Sequence, residues 1–503
     1  MTCLRPFRLI ACLLMLATGV ACLAAPPPNW DALRRMVAQA TGVAGDMKSW
    51  RLTGTGVQRG APTTTVTDFD GEFRFREVDT AHGLSQSFGF DGKNAWDGIS
   101  TGLSHRVKFY DRDMNRLIMW VESGEWAVSP DLVDTSIKAA DNQIELGLKL
   151  KDGAGEGTLV LSADTLLPAS LTSGDDVWTF ADYRPFGGRE FPTKIIHTTG
   201  GETDETDITD ASAVGVSFAM PPTNTADLSF TGPDGEPMPI KRIAGLIFIK
   251  PKVDGKDVGW FFFDTGADTT CIDSTVAKQL GLETIGSASV AGVVAVAQYQ
   301  FGRAKSLQVG PMTLANPLFL ELDLAGFSKM LGLPIGGICG YDDLIGWAAF
   351  KLDLHANTLR VLRPGAPEMA AAEWTPFEFE GNTPCLTCRF EGDHSSIFKI
   401  DTGSASTVDF FSPAVRQFHL LNRKGLKKSM SGGAGGSAAS FSGTIGWFEL
   451  CGKRFLKPVV GFQTTIKGVF SSTYEGGNVG MGFLGQFHSL IFDYANQRIA
   501  FEP

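Results

Sequence analysis

The spacing of hydrophobic and polar positions divides the chain into a helical start and a long β-rich remainder. In residues 31–44 apolar side chains recur at helical spacing, which predicts a short amphipathic helix. Over residues 50–217 apolar and polar positions instead alternate, as in 144–150, and turn sequences separate the runs. Residues 111–121 are the one further stretch with helical spacing. The pattern predicts a largely antiparallel β domain with one or two helices.

Beyond this domain the sequence repeats itself, and the repeat defines the rest of the architecture. Phe263-Asp264-Thr265-Gly266 is matched by Ile400-Asp401-Thr402-Gly403, and Gly340 and Asp353 are matched at one common offset by Gly480 and Asp493. Two similar lobes in one chain follow from these landmarks. The segment between domain and lobes is rich in Pro, Gly, Asp and Thr, which predicts a linker. The predicted segments are 1–25 (signal peptide), 27–220 (N-terminal β domain), 221–239 (linker), 240–365 (first lobe) and 373–503 (second lobe).

The N-terminus has the pattern of an export signal. Arg5 and Arg8 precede an apolar stretch, small residues follow over 21–25, and three prolines then end the segment. The pattern predicts export to the periplasm or the medium, with a buried core helix as the alternative. Cys22 follows an incomplete lipoprotein cleavage box, so lipidation there is a second alternative, and membrane contact is expected only in that case.

Composition and charge narrow the classes of partner. The chain has 43% hydrophobic and 20% charged residues, which is typical of a globular protein. Without Arg5 and Arg8 the 44 basic residues fall to 42 against 55 acidic ones, a formal charge of −13. Such a charge disfavours nucleic acid and anionic membranes as partners. No metal-ligating cluster is apparent, because the histidines are scattered and the Cys385-x-x-Cys388 pair has no second Cys/His pair beside it.

The paired Asp-Thr-Gly triplets carry the candidate chemistry. Hydrolysis of a peptide bond without a metal needs one carboxylate to take a proton from water and one carboxylic acid to protonate the carbonyl oxygen. Two carboxyls held roughly 3 Å apart cannot both ionise, so they share a proton. A glycine after each Asp-Thr lets the backbone approach the other loop, and each threonine can donate across to it. Asp264 and Asp401 are the predicted catalytic pair, supported by Thr265, Gly266, Thr402 and Gly403.

Residues 243–503 resemble the pepsin/retropepsin superfamily, and more closely the bacterial aspartyl-protease-like proteins with two retropepsin-like lobes in one chain. The resemblance rests on the two triplets and on the downstream apolar-Gly elements at 338–340 and 479–480. It implies a pair of acid-protease β-barrels, a peptide or protein substrate, no cofactor, and hairpin flaps near 289–300 and 432–440, where a plain surface loop is the alternative for the second flap. It also implies that Ala267, Asp268 and Ser404 line the substrate site.

Two differences between the lobes bear on the chemistry. Ala267 follows the first triplet whereas Ser404 follows the second, so we expect only Asp401 to have a neighbouring hydroxyl and to be the more readily ionised aspartate. Asn478 stands where the first lobe has Ile338, which predicts altered specificity or weaker activity.

The N-terminal domain also resembles a known class, the lipoprotein carriers with a curved β-sheet. The resemblance rests on residues 54–56, 87–96 and 183–188. It implies an apolar concavity that holds an acyl chain or a peptide.

The sequence therefore predicts a mainly β protein: a curved antiparallel sheet domain followed by a bilobal pepsin/retropepsin-like β-barrel pair. The function predicted is an exported aspartic-type endopeptidase. The alternatives are a non-catalytic periplasmic lipid- or peptide-binding protein and a protein that cleaves only its own linker. For Cys385 and Cys388 we expect a structural disulfide or two free thiols, and Cys271 and Cys339 are candidates for a bridge.

Overall fold

The structure is a computed structural model that describes residues 29–502 except 44–47, 141, 154, 200–201, 233–234, 292–295, 343–344, 364, 371, 434–435 and 467. The predicted signal peptide, with Cys22, lies outside the described residues. Among the described residues, no helix has both the length and the apolar character needed to cross a membrane.

The N-terminal part is one long antiparallel sheet with two helices. The helix predicted over 31–44 is α1, Trp30–Ala40, whose first turn is capped by the side chain of Asn29. The helix predicted over 111–121 is α2, Phe109–Glu122. The strands are β1 (Trp50–Gln58), β2 (Ala61–Phe69), β3 (Phe75–Ala81), β4 (Leu84–Phe90), β5 (Ala95–Gly98), β6 (Ser104–Val107), β7 (Leu132–Ala140), β8 (Gln143–Leu150), β9 (Glu156–Ser162), β10 (Pro168–Ser173), β11 (Asp176–Ala181), β12 (Arg184–Phe186), β13 (Arg189–Phe191), β14 (Lys194–Thr199) and β15 (Glu202–Ala213).

Strand pairing makes this sheet continuous from β7 to β6. The order is β7-β8-β9-β10-β11-β14-β15-β1-β2-β3-β4-β5-β6, and every neighbour is antiparallel, with β12 and β13 forming a separate hairpin. The helix α2 packs against β4 and β10 and buries Leu117, so the alternating apolar positions of the strands have a partner. The predicted curved antiparallel domain with one or two helices is confirmed.

One face of this domain is more polar than its resemblance to lipoprotein carriers implies. Burial, and then the charges of Asp79 on the same strand and of Glu122 on α2, raise the pKa of Glu77 on β3. Burial and the charge of Asp79 raise the pKa of Glu122 to about 8. The expected lipid or acyl ligand stays a prediction.

The first lobe follows, and it begins inside the predicted linker. Within 221–239, β16 pairs with β27 and β17 pairs with β31, so parts of this segment are edge strands of the lobe rather than a free connection. The elements are β16 (Leu228–Phe230), β17 (Met238–Pro239), β18 (Lys241–Ile243), β19 (Leu246–Ile249), β20 (Lys252–Val253), β21 (Lys256–Asp257), β22 (Trp260–Phe263), β23 (Cys271–Asp273), α3 (Ser274–Leu280), β24 (Glu283–Ala291), β25 (Val296–Arg303), β26 (Ser306–Val309), β27 (Met312–Ala315), β28 (Leu318–Leu322), α4 (Ala325–Leu331), β29 (Ile335–Cys339), β30 (Ala349–Asp353) and β31 (Thr358–Leu362).

The second lobe repeats the order of the first, and the two share a sheet. Six strands run in the order β17-β31-β30-β43-β44-β32, with β30 of the first lobe paired to β43 of the second. The elements are β32 (Trp374–Pro376), β33 (Glu378–Glu380), β34 (Thr383–Phe390), β35 (His394–Ile400), β36 (Val408–Phe410), α5 (Ser412–Gln417), β37 (Lys427–Gly433), β38 (Gly436–Thr444), β39 (Trp447–Leu450), β40 (Lys453–Leu456), β41 (Val459–Gln463), β42 (Gly477–Val479), α6 (Met481–Leu484), β43 (Ser489–Asp493) and β44 (Arg498–Glu502). The bilobal β architecture is confirmed, while the exact segment boundaries stay a prediction.

The N-terminal domain is joined to both lobes at a buried junction. Val107 of β6 pairs in parallel with Phe379 of β33. Buried beside this pairing, His105 donates from Nε2 to the carbonyl of Gly381 at 3.3 Å and accepts at Nδ1 from the hydroxyl of Tyr341 at 3.1 Å. Tyr341 belongs to the first lobe and Gly381 to the second, so one histidine connects three parts of the chain.

The same domain also contacts the β24–β25 hairpin of the first lobe. The amide of Ser289 donates to the carbonyl of Arg59, in the β1–β2 turn, at 2.9 Å. Nε2 of His82, in the β3–β4 turn, lies 3.2 Å from the carbonyl of Ser287. The outer edge of this hairpin is therefore hydrogen-bonded to two turns of the N-terminal sheet.

Candidate functional site

Each Asp-Thr-Gly triplet lies at the end of a buried strand. In the first lobe β22 runs parallel to β29 and pairs Phe263 with Cys339. In the second lobe β35 runs parallel to β42 and pairs Ile400 with Val479. In β22 Phe261, Phe262 and Phe263 are buried on both faces, and in β35 Phe398 and Ile400 are buried on one face. This packing holds the end of each strand, where its triplet begins, at a fixed place beside the core. Two equivalent strand ends thus bring the triplets together.

The two loops are braced against each other by their threonines. Thr265 Oγ1 donates to the carbonyl of Ile400 at 2.6 Å, and Thr402 Oγ1 donates to the carbonyl of Phe263 at 2.7 Å. Each threonine amide in turn donates to the opposite hydroxyl, at 3.1 and 3.0 Å. All four hydrogen bonds are buried, so they fix the distance between the lobes.

The glycines allow each loop to reach the other's aspartate. A Cβ added at Gly403 would lie 2.2 Å from Cγ of Asp264, and one at Gly266 would lie 2.7 Å from Cγ of Asp401. No real side chain tolerates the first of these distances. Asp264 and Asp401, far apart in sequence, therefore each lie against the other lobe's triplet, close enough for the charge of Asp401 to raise the pKa of Asp264.

Burial raises the pKa of both carboxyls, but the other groups that act on them differ. For Asp264, burial and then the charge of Asp401 raise the pKa well above its usual range. Burial also raises the pKa of Asp401, which a hydrogen bond from Asn478 opposes. The backbone donors are matched, because Gly266 and Gly403 each donate to their aspartate's Oδ1 at 2.9 Å. The side chains around the two carboxyls differ, however.

Asn478 lowers the pKa of Asp401 by hydrogen bonding and Lys399 lowers it by its charge, whereas Ser404 does not contact this carboxyl. Nδ2 of Asn478 donates to Oδ2 of Asp401 at 2.7 Å. The hydroxyl of Ser404, which we expected to serve Asp401, lies instead 2.7 Å from the hydroxyl of Ser406. The expectation was wrong about the donor because Ser406, two residues on, offers a closer partner in the same turn. The polar residue at position 478 was visible in the sequence, but its contact was not.

Asp268 and Ala267 lie on the first-lobe side of the pair. Burial raises the pKa of Asp268, an effect that the charge of Lys399 opposes most strongly. Ala267 accepts at its carbonyl from the amide of Tyr341 at 3.0 Å. Lys399 itself forms an ion pair of 3.0 Å with the buried Glu475. This ion pair was not predicted from the sequence, although a lysine two residues before Asp401, in the otherwise apolar segment 397–400, was its visible signal.

The segments predicted as flaps are both hairpins. Residues 289–300 fall in the β24–β25 hairpin and residues 432–440 in the β37–β38 hairpin, with 292–295 and 434–435 outside the described residues. Their role over a substrate stays a prediction.

The cysteines contribute no crosslink to the part of the chain that the structure describes. Cys271, Cys339, Cys385, Cys388 and Cys451 are free thiols. The bridge proposed between Cys271 and Cys339 was wrong. Cys271 pairs with Ile338 across β23 and β29, so Cys339, one position on, points to the opposite face of the sheet. Over the described ranges, no group of three or more His, Cys, Asp or Glu side chains is placed to hold a metal ion.

Comparison with solved structures finds likenesses of low identity. One is a LolA superfamily protein from Nitrosomonas europaea, at 15% identity over 37% of this chain and 94% of that chain, with a TM-score of 0.28. Another is a retropepsin-like aspartic protease from Rickettsia conorii, at 16% identity over 26% of this chain and 94% of that chain, with a TM-score of 0.20. A third is the MucA/MucB complex of Pseudomonas aeruginosa, at 14% identity over 61% of this chain and 98% of that chain, with a TM-score of 0.16. No curated protein matches the sequence.

A family comparison gives a direct match to part of the chain. Residues 249–342 match the family model described as aspartyl protease. The matched range contains the first Asp-Thr-Gly triplet and the β24–β25 hairpin, and it ends shortly after β29. Over residues 249–342 the chain is therefore similar to the aspartyl protease family, as its motifs indicate.

Proposed function

We propose that the chain is an aspartic-type endopeptidase in which Asp264 and Asp401 activate a water molecule. The proposal is carried by one observation: the two Asp-Thr-Gly loops are cross-braced so that each aspartate faces the other loop's glycine. A merely structural pair of turns has no need of two partly buried carboxyls set against each other's loops, an arrangement that is costly unless they share a proton.

The hydrogen bonds of the two carboxyls support different roles for them in this mechanism. Asp401 accepts a hydrogen bond from Asn478, so it is the carboxylate that takes a proton from the attacking water. Asp264, whose pKa is raised further, is the acid that protonates the carbonyl oxygen of the peptide. The resulting tetrahedral diol collapses when Asp401, which now holds the water's proton, protonates the amine leaving group and Asp264 takes a proton from one of the two diol hydroxyls. The carbon–nitrogen bond breaks, a carboxylic acid and an amine leave, and the pair again holds one shared proton.

The test is cleavage of a fluorogenic peptide library by the purified chain and by single variants. We expect Asp264→Asn and Asp401→Asn each to lose about 10²–10⁴-fold in rate, and the inhibitor pepstatin to block the wild type. Asp393→Asn is the matched control, because it also removes one carboxylate but its side chain is 85% exposed in a turn. Equal loss in the control, or cleavage that survives both active-pair variants, contradicts the proposal. Binding of acyl ligands or peptides without cleavage favours the alternative of a binding protein.

We also propose that the protein is exported, on the strength of the N-terminal pattern around Arg5 and Arg8. The mass of the mature chain tests this. Removal of about 25 residues is expected, whereas a chain that begins with a lipid-modified Cys22 identifies a lipoprotein, and an uncut N-terminus contradicts export.

A further inference from the structure

The strand pairing places different side chains on the two sides of the catalytic pair. In the second lobe Asn478 of β42 pairs with Lys399 on β35 and with Asp409 on β36. Directly paired residues of neighbouring strands point to the same face. Since Asn478 contacts Asp401, the row formed by Lys399, Asn478 and Asp409 lies on the face that carries the catalytic carboxyl. We call this row the polar wall.

The first lobe has an apolar row at the equivalent positions. Ile338 of β29 pairs with Phe262 on β22 and with Cys271 on β23. These residues belong to one hydrophobic cluster, which also contacts Val290 and Tyr299 of the β24–β25 hairpin. We call this row the apolar wall. Apolar side chains therefore extend from beside Asp264 to the hairpin that adjoins it.

The polar wall continues into its own hairpin in the same way. Gln463 of β41 donates from Nε2 to Oδ1 of Asp409 at 3.1 Å and to Oγ of Ser431, in the β37–β38 hairpin, at 2.8 Å. Asp409 pairs with Gly461, and Gln463 lies two residues further along β41. In the first lobe Cys271 pairs with Leu320, and Leu322 lies two residues further along β28, so Leu322 is the equivalent of Gln463. Leu322 is part of the apolar cluster. The two walls thus differ at four equivalent positions.

Two hydrogen-bond acceptors of the polar wall have no donor within the described part of the chain. Among the described residues, Oδ1 of Asn478 and Oε1 of Gln463 are buried atoms that have no hydrogen-bond partner. A buried acceptor without a donor costs roughly 1–3 kcal/mol. This cost is relieved when a bound molecule brings a donor. The charges around the wall restrict that molecule, because Lys399 repels a cation whereas Glu475 and Asp409 repel an anion.

We propose that the cleft accepts a peptide with an apolar side chain on the first-lobe side of the scissile bond and a neutral, hydrogen-bond-donating side chain on the second-lobe side. The inference rests on the proposed function and names its substrate class. Glutamine, asparagine, serine and threonine are the smaller residues that meet the second condition.

The experiment has a cleavage arm and a binding arm that use the same peptides. The peptides carry leucine on one side of the tested bond and glutamine, leucine, lysine or glutamate on the other, in both orders. Binding is measured by calorimetry to the Asp264→Asn variant, so that it reports on recognition whether or not the wild type cuts the bond. The leucine–glutamine peptide in one of its orders is expected to bind about tenfold more tightly than the leucine–leucine peptide.

A double variant tests the polar wall itself. Asn478→Ile with Gln463→Leu installs the residues of the apolar wall, and it is expected to reverse the preference in favour of leucine on both sides. Gln308→Leu, on β26 and outside both walls, is the control and is expected to leave the preference unchanged.

The outcomes separate the two proposals. The inference is overturned if the wild type binds the leucine–leucine peptide or a charged peptide more tightly than the leucine–glutamine peptide. It is also overturned if the double variant is folded, as judged by its melting temperature, and still prefers glutamine. Selective binding without any cleavage by the wild type supports the inference and contradicts the peptidase function instead.

Discussion

Asn478→Leu removes the amide that donates to Oδ2 of Asp401 at 2.7 Å and leaves a side chain of similar volume in its place. A hydrogen bond to a charged group contributes about 1.5–3 kcal/mol. Loss of this bond therefore favours the protonated form of Asp401 by about the same free energy and raises its pKa. In the proposed mechanism Asp401 acts in its ionised form, so the rate is expected to fall on the acidic side where that carboxyl becomes protonated.

The acidic limb of the kcat/KM profile is therefore expected to move to higher pH in the variant. The assay is hydrolysis of one good peptide across the pH range by wild type, Asn478→Leu and Ser404→Ala. The serine hydroxyl contacts Ser406 and not Asp401, so its removal is expected to leave the acidic limb in place. An unmoved limb in Asn478→Leu, or an equal movement in Ser404→Ala, refutes the assignment of Asn478 as a residue whose hydrogen bond lowers the pKa of Asp401.

Three further predictions concern the loops and the buried ionisable groups. Gly403→Ala places a methyl group 2.2 Å from Cγ of Asp264, so we expect loss of at least about a hundredfold in kcat, measured with folding checked by circular dichroism. Glu122 has a pKa of about 8 in the folded chain against 4.5 for a solvent-exposed glutamate, so stability falls as pH rises through that window. Glu122→Gln is expected to remove up to about 3 kcal/mol of this fall at pH 7, as measured by urea unfolding of both proteins at pH 4.5 and 7. An equal change in the free energy of unfolding between the two pH values in wild type and variant contradicts it. The buried His105 has its pKa lowered to about 4 from 6.5, so the wild type is expected to lose up to about 3 kcal/mol of stability as pH falls through that range. His105→Phe is expected to flatten this acid dependence in the same unfolding experiment, whereas a parallel pH dependence in wild type and variant argues against it.

Much of the candidate site could be predicted from the sequence because it is encoded locally and twice. Each triplet follows an apolar strand, and the repeat of Gly340 and Gly480 downstream sets the partner strand beside it. The alternation of residues 144–150 likewise predicted a strand, which is β8. Patterns of this kind depend on the nearest residues along the chain, and tertiary packing reinforced them.

What the sequence did not indicate depends on contacts between distant residues. The direction of the Ser404 hydroxyl was decided by Ser406, and the opposite orientation of Cys271 and Cys339 by the register of β23 with β29. The polar wall required knowing that Lys399, Asn478 and Asp409 lie side by side on three strands. The periodicity of apolar residues does not indicate which strands pair when tens of residues separate them along the sequence.

The pairing of β6 with β33 has a practical consequence for anyone who expresses parts of this chain. A fragment that starts after the N-terminal domain exposes an edge of β33 and leaves Tyr341 and the carbonyl of Gly381 without their histidine. Unpaired strand edges recruit other chains. Such a fragment is expected to elute as soluble aggregates in size-exclusion chromatography, and a productive truncation has to retain residues 104–107 together with the lobes.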